Sequence, residues 1–444
     1  MYDPLHDACP GPGQPATASY WQQHSQPHWP ETATDLPERA DVVVIGAGYT
    51  GLNAALELSE RYQQQVVVLE ANQPGWGCST RNAGFAMPGT GRLGYAAWAA
   101  RCGTEIAMGI RDEYRHAFDR LERHVLACPQ QAQLQRGGYL KIAHKPGAAA
   151  PLYQQYQQLC AFEPDTRWLE RDAVQRRVSS PQACAAIHFP QSFGVNPLLV
   201  AASVARQAVA AGSRILPDTP VTGWQQEGAD QLLQTTRGSI RAARVILATN
   251  GYTPNHLHPA VHGRSLPVLS SVLVTRPLTA SELAATGLSP AELIMDTRLL
   301  KYYFRLLPDG RLLFGGRGAI HGKDADKPRY ARHLLQALAA TFPALKDLAG
   351  EQPAYFWSGW ISVALDEYPR VYSPASGIFT SMGYCGAGLT FSQLAGARVA
   401  QLAMGETLPA LPFYQSPLPR FPLPGLRRLG QRLYYQYARW RTGL

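Results

Sequence analysis

Apolar positions along this chain change their period in a way that marks its elements. Asp41-Val-Val-Val-Ile45 is a short β-branched run, the pattern of a strand covered on both faces of a parallel sheet. A glycine-rich turn follows, and from about Thr50 to Tyr62 the apolar residues recur at helical spacing. Val66-Val-Val-Leu69 reads as a second buried strand ending at Glu70, which completes a βαβ half-unit with a right-handed crossover. Helical spacing returns over 104–127, 152–162 and 197–211, the last stopped by Gly212. Strand-like pieces surround Thr235 to Arg241, and Arg244 to Ala248 is another buried strand. The region 268–318 reads mainly as β structure, including Leu300–Leu307 and Leu312–Gly316. A helix over 330–342 and a strand over 377–382 come next, leading through glycines into a helix over 390–404.

The order of these pieces predicts an α/β protein. Rossmann-type segments stand at the start, middle and end, separated by antiparallel-looking strands. A discontinuous nucleotide-binding domain would take 37–90, 195–262 and 355–415. An inserted α+β substrate domain, built on an antiparallel sheet, would take 91–194 and 263–354. Residues 1–36 read as an extended N-terminal arm and 416–444 as a basic amphipathic tail.

Composition narrows the function classes. At 444 residues the chain exceeds a single core, and 45% hydrophobic with 16% charged residues is a globular enzyme composition. No apolar run approaches the roughly 20 residues of a membrane span, and the N-terminus lacks the pattern of a secretory signal. A cytoplasmic location is expected. Seven cysteines without a CxxC pair read as free thiols, and the scattered histidines have no ligand spacing, so no metal is expected. The net charge of +9 owes six arginines to the segment from Arg420 onward, and about +3 remains without it. Nucleic acid is therefore not an expected partner. The tail's arginines alternate with apolar residues at helical spacing, which suits either packing on its own domain or peripheral contact with the inner face of an anionic membrane.

The chemistry begins at Gly46-Ala-Gly48-Tyr49-Thr50-Gly51. The first glycine permits a tight turn, the second a close approach of backbone to a pyrophosphate, and the third close helix–strand packing. The helix start offers free N–H groups to phosphate. Glu70, followed by Ala71, can accept hydrogen bonds from both ribose hydroxyls. Further on, Gly77-Cys78-Ser79-Thr80-Arg81-Asn82-Ala83-Gly84 clusters donors between glycines. Late in the chain, Gly383-Tyr384-Cys385-Gly386-Ala387-Gly388-Leu389-Thr390 makes a second strand–turn–helix, whose dipole would stabilise negative charge on a reduced flavin.

These segments, with VILATNGYTP and YYFRLLPDGRLLFGGR in the same order, resemble the D-amino-acid-oxidase-like FAD oxidoreductase superfamily, and most of all the γ-glutamylputrescine oxidoreductases. The likeness spans roughly residues 19–440. It implies non-covalent FAD, a small amine or amino-acid substrate, and hydride transfer from the nitrogen-bearing carbon to flavin N5, giving an imine that hydrolyses. By the same likeness Gly46, Gly48 and Gly51 lie at the pyrophosphate, Glu70 at the ribose, and Val221 by the adenine. Ser79 to Gly84 border phosphates and flavin, Thr249, Asn250 and Gly251 lie near the ADP half, and Gly386, Gly388, Leu389 and Thr390 face the pyrimidine edge. Trp357, Trp360 and Tyr384 become flavin neighbours.

Departures from the pattern also matter. The stretch Trp357 to Tyr368 lacks the cysteine by which sarcosine oxidases hold flavin covalently. Thr390 replaces their carboxylate-binding lysine, and Leu312–Phe314 carries no cation where a lysine is linked to oxygen activation. Strand alternation over Lys301–Arg305 puts Lys301, Tyr303 and Arg305 on one face and Tyr302 with Phe304 on the other. One face is expected to roof the flavin, and Arg305 or Arg317 to hold a substrate carboxylate. The candidate substrate residues are thus Tyr302, Tyr303, Arg305, Arg317 and Trp360. The electron acceptor is expected to be oxygen or quinone. An imino- or amino-acid dehydrogenase for a pipecolate- or proline-like substrate, passing electrons to quinone or another carrier, is the competing expectation, and a non-catalytic flavin-binding protein the third.

Overall fold

The computed structural model describes residues 1–128 and 130–442. Its first sheet is built around five parallel strands in the order Ile378–Met382, Gly238–Leu247, Arg39–Ile45, Val66–Leu69 and Arg214–Leu216. Val42, Val43, Val44 and Val68 are fully buried, as strands sandwiched on both faces require. The strands Val221–Glu227 and Asp230–Thr235 fold back antiparallel onto Gly238–Leu247, and Arg370–Ala375 onto Ile378–Met382. Gly238–Leu247 is one ten-residue strand. The sequence suggests two pieces there because its first half pairs with the exposed hairpin strand, whereas its second half lies in the buried parallel core.

A second sheet of eight strands runs in the order Tyr355–Val363, Leu266–Pro277, Arg311–Arg317, Tyr303–Leu306, Leu293–Asp296, Tyr139–Ile142, Ala186–Phe189 and Arg167–Leu169. It is antiparallel except where Leu293–Asp296 lies parallel to Tyr139–Ile142, the seam between its two contributing stretches of chain. The α/β fold with a second, largely antiparallel sheet is the architecture expected. The strand expected from Leu300 starts only at Tyr303. The Asp296 carboxylate accepts the N–H groups of Arg298 (3.0 Å) and Tyr302 (3.2 Å), which holds the intervening chain in a loop.

The arm is not free. The Trp21 indole donates to the Asn82 carbonyl (3.0 Å), the Trp76 indole to the Pro15 carbonyl (3.1 Å), and Ala33 N–H to the Ile215 carbonyl (2.8 Å). Four helices cover one face of the first sheet: Tyr49–Tyr62, Thr104–Leu126, Pro197–Ala210 and Gly388–Ala403. Between them lies a buried polar network, in which Asn53 accepts from Arg120 (3.1 Å) and contacts His124 Nε2 (3.0 Å), while Glu57 meets Arg120 (3.2 Å). Burial and the neighbouring Arg120 push His124 down to about 3, so the ring is neutral near pH 7.

Tyr49–Tyr62 and Gly388–Ala403 cross at Gly396. A β-carbon there would stand 2.5 Å from the Thr50 carbonyl oxygen and 2.6 Å from Asn53 Cβ. The substitution Gly396→Ala is expected to cost about 1–3 kcal/mol through overpacking, seen as a lower thermal midpoint. Gly350→Ala, which meets nothing within 4 Å, should leave the midpoint unchanged.

Candidate functional site

All five parallel strands end at one edge of the first sheet, and a cavity of about 860 Å³ opens there. Ligands of open α/β sheets bind outside such carboxyl ends, and the volume is that of a small-molecule or cofactor site. Each strand end delivers a lining residue to it: Gly46, Glu70, Thr249 and Tyr384 among them.

The first turn divides its work among three glycines. Gly46 sits at φ +104°, a conformation a side chain rarely adopts. At Gly48 a β-carbon would come 2.9 Å from Ser79 Oγ, which itself accepts the Tyr49 N–H (3.0 Å). Gly51 does not reach the cavity; a β-carbon there would strike the Gly46 carbonyl oxygen at 1.9 Å. Glu70 accepts the N–H of Ala47 (2.8 Å) and Asn72 (3.1 Å). Burial pushes its pKa up, and these backbone donors oppose the rise.

The Gly77–Gly84 cluster is a tight turn held by its own side chains. Asn82 donates to the Ser79 carbonyl (2.8 Å) and accepts from Gly84 N–H (2.9 Å). Arg81 donates to the Trp76 carbonyl (2.8 Å) and lies 4.6 Å from the centre of the Trp76 ring. Opposite stands the second glycine turn, where Cys385 (φ +53°) holds left-handed backbone, as does Asn250 (φ +41°) in the turn after Gly238–Leu247. The Asn250 side chain accepts the Gly383 N–H (3.1 Å), and the Tyr384 hydroxyl pairs with Thr50 Oγ1 (2.7 Å), tying the two helix starts together. Strained backbone of this kind gathers at functional sites. Two helix N-termini, at Tyr49 and Gly388, thus face one cavity. The buried Ser392 hydroxyl on the second helix also lines it, without a protein partner.

The far wall comes from the second sheet, with Tyr139, Lys141, Met295, Tyr303 and Arg317, and from Lys301 in the loop before Tyr303. Gly315 makes room for the Tyr303 ring, since a β-carbon there would lie 2.1 Å from it; the Tyr303 hydroxyl meets Ser270 Oγ at 2.9 Å. The charges are one-sided. Of the lining carboxylates, Glu163 is paired with Arg115 (2.6 Å) and Glu367 with Arg92 (2.9 Å), and Glu70 is bonded to backbone. Among the described residues, Arg81, Lys141, Lys301 and Arg317 form no ion pair. Burial, then the positive charges of Lys141, Arg92 and Arg317, hold Lys301 down at about 8.

The cavity brings together most of the residues expected from sequence: Gly46, Gly48 to Thr50, Glu70 and Ala71, and Gly77 to Ala83 apart from Thr80. Val221, Thr249 to Gly251, Tyr384, Gly386, and Gly388 to Thr390 line it too, as do Tyr303 and Arg317. Others lie behind it. Thr80 donates to the Gly75 carbonyl (2.6 Å), and Gly84 faces the Val195 carbonyl, which a β-carbon would strike at 1.9 Å. The Trp357 indole donates to the Arg81 carbonyl (2.8 Å) and the Trp360 indole to the Tyr2 carbonyl (2.7 Å). Gly383 turns the chain at φ +84°. Tyr302 points to the opposite side of its sheet, against Phe314 and His333. Arg305 is wholly buried beyond the cavity, donating to the Val195 carbonyl (2.8 Å) and lying over the Trp21 ring. Its expected carboxylate contact has no geometric basis, because that guanidinium lies outside the cavity lining, against the Gly84 and Val195 carbonyls.

Sequence reasoning missed Lys141 and Arg92, and named Lys301 only for its place in the alternation. Lys301 lies in the loop before the strand Tyr303–Leu306, so it reaches the cavity by the loop's path and not by that alternation. Outside the cavity, Asp3, His6 and His321 bring their ligand atoms within 4.8 Å of one another. Arg428 donates to Asp3 (2.8 Å) and Arg432 meets His321 (2.8 Å), so cations already take the places a metal would need.

Comparison with known proteins agrees with this geometry. The family described as FAD dependent oxidoreductase matches residues 41–402. A probable oxidoreductase OrdL of Rhizobium meliloti (strain 1021) is 29% identical over 440 residues, 95% of this chain and 98% of its own. The γ-glutamylputrescine oxidoreductase of Escherichia coli (strain K12) is 29% identical over 420 residues, 93% of this chain and 94% of its own. Among solved structures, glycine oxidase from Geobacillus kaustophilus aligns with a TM-score of 0.72 at 21% identity, covering 86% of this chain and 99% of that one. With a helix-capped cavity at the strand ends and a family match over most of its length, the chain belongs to the FAD-dependent oxidoreductases of the DAO family.

Proposed function

We propose that the cavity holds FAD along the edge of the first sheet and, against the second-sheet wall, a small amine that also carries a carboxylate. The observation supporting this reading is the group of unpaired cations, Lys141, Lys301 and Arg317, beside Tyr303 in a member of an FAD-dependent family. Cations left without acids in a partly dry wall are matched to an anionic ligand. The named activity of the E. coli relative makes γ-glutamylputrescine, which has an amine at one end and a glutamyl carboxylate at the other, the first substrate to test.

In this reading the amide groups at the start of Tyr49–Tyr62 hold the pyrophosphate, with Gly46 and Gly48 allowing its approach. Glu70 accepts from ribose, Val221 borders the adenine, and Asn250 and Gly251 flank the ADP half. Ser79, Arg81 and Asn82 lie between the two halves. The amides of Gly388, Leu389 and Thr390 place a helix dipole at the ring edge where negative charge develops. Burial pushes the thiols of Cys78 and Cys385 up to about 11. Both therefore stay protonated and unreactive near neutral pH, which supports non-covalent binding. Bound FAD supplies an acceptor for the hydride on the nitrogen-bearing carbon. The chain's own part is positional: Arg317, Lys301 and Lys141 hold the carboxylate, Tyr303 walls the amine, and the sheet walls keep water out.

Purified protein should be yellow, absorbing near ~450 nm, and γ-glutamylputrescine should bleach that colour without air. Bleaching by pipecolate or proline but by no amine would overturn the amine reading. Peroxide formed on readmitting air separates an oxidase from a dehydrogenase.

The cation wall makes a sharper prediction. Arg317→Gln is expected to raise KM for the carboxylate-bearing amine about 10- to 100-fold, the loss of one charge-assisted hydrogen bond, with a smaller change in kcat. Because Lys301 loses its proton near pH 8, KM for that substrate should climb as pH rises through about 8. Lys301→Gln should flatten the climb. A simple diamine without carboxylate should show neither effect.

A further inference from the structure

The helix Arg427–Thr442 presents its faces the wrong way round for a helix that packs on its own protein. The side toward the protein is polar. Arg428 donates to the Asp3 carboxylate (2.8 Å) and the Pro267 carbonyl (2.7 Å), Arg427 donates to Asn255 Oδ1 (2.7 Å), and Gln431 donates to the Tyr435 hydroxyl (3.2 Å). The side toward solvent is apolar: Leu429 is 50% exposed, Leu433 57%, Tyr437 49% and Trp440 77%. At 3.6 residues per turn these four fall within an arc of about 80° directly opposite the buried residues. Leu423 and Leu426, 65% and 51% exposed, extend the stripe ahead of the helix. A surface helix normally turns such a stripe inward.

The stripe is rimmed by one sign of charge. Arg432 and Arg439 stand along one border and Arg441 along the other, all exposed, with exposed Arg420 ahead of them. No Asp or Glu occurs between Ser416 and the end of the chain. A second copy of this face would repel the first, because arginine would meet arginine. Nucleic acid would match the charge but leave leucine and tryptophan against phosphate. An anionic bilayer surface matches both parts, taking the leucines and the Trp440 ring to the depth of the headgroup boundary and the arginines to lipid phosphates.

We propose that this helix docks the protein on a membrane rich in anionic lipid. The inference goes beyond the substrate reading and does not rest on it. Among the described residues no helix is long and apolar enough to cross a membrane, so the contact is one of a helix lying in the interface. The helix also borders the cavity: Tyr434 lies beside Arg92, a lining residue, so docking would turn that side of the cavity toward the lipid surface.

The test uses the full chain loaded with FAD and vesicles of phosphatidylglycerol and phosphatidylcholine, read by co-sedimentation. Binding is expected to vesicles containing phosphatidylglycerol, to weaken with salt, and to be far weaker to pure phosphatidylcholine. Arg439→Gln with Arg441→Gln should weaken it on the order of thirty-fold. Leu429→Glu with Leu433→Glu should abolish it, while flavin absorbance and thermal midpoint stay as in the parent. Equal binding by parent and both variants would overturn the proposal, as would no binding by the parent at low salt. It would also be overturned by a dimer in light scattering that the leucine substitutions dissolve while vesicles capture neither form.

Discussion

Two helices from opposite ends of the sequence touch backbone to backbone at Gly396, against Thr50 and Ala54. The site depends on that contact. It fixes how far apart the starts of Tyr49–Tyr62 and Gly388–Ala403 stand, and those starts are the two amide-rich ends that face the cavity. The Tyr384–Thr50 hydrogen bond and the Asn53–Gln393 pair (2.8 Å) secure the same crossing from either side. A methyl group between the helices would therefore act on binding geometry as well as on stability.

Charge is handled differently on the two walls. On the first sheet Glu70 is anchored by backbone N–H groups, and on the loops around it the other acids are neutralised by arginines. On the second wall Lys141, Lys301 and Arg317 are left without acids, and burial, then the neighbouring positive charges, hold Lys301 near 8. Such crowding lowers the stability of the empty wall, and a bound anion relieves it. In the proposed function, binding energy is thus prepared in advance at the place where a substrate's charge would rest.

Features made by neighbours in sequence were legible, and those made by folding were less so. Gly46, Gly48 and Gly51 could be assigned a turn, an approach and a packing contact because strand, turn and helix follow one another directly. Lys141 could not be placed, since it reaches the cavity only through the parallel pairing of Tyr139–Ile142 with Leu293–Asp296, more than a hundred residues away. Arg305 shares a face with Tyr303, yet it lies one step further along the strand, where the Gly84–Val195 backbone waits instead of open space. Alternation gives the side of a sheet and not the neighbour beyond it. The tail's amphipathic pattern was plain, but which face turned inward depended on Asp3, Asn255 and Ser265, residues far from the helix in sequence.

The Asp3–Arg428 pair closes a loop of nearly the whole polypeptide, since Asp3 also accepts the Gly322 N–H (2.9 Å) and both charges are buried. During synthesis Asp3 leaves the ribosome long before either partner exists. It can meet Gly322 first and Arg428 only later, so the helix Arg427–Thr442 latches onto a segment already held by earlier parts of the chain. Losing Asp3 would leave the buried Arg428 guanidinium without its acid and loosen that helix.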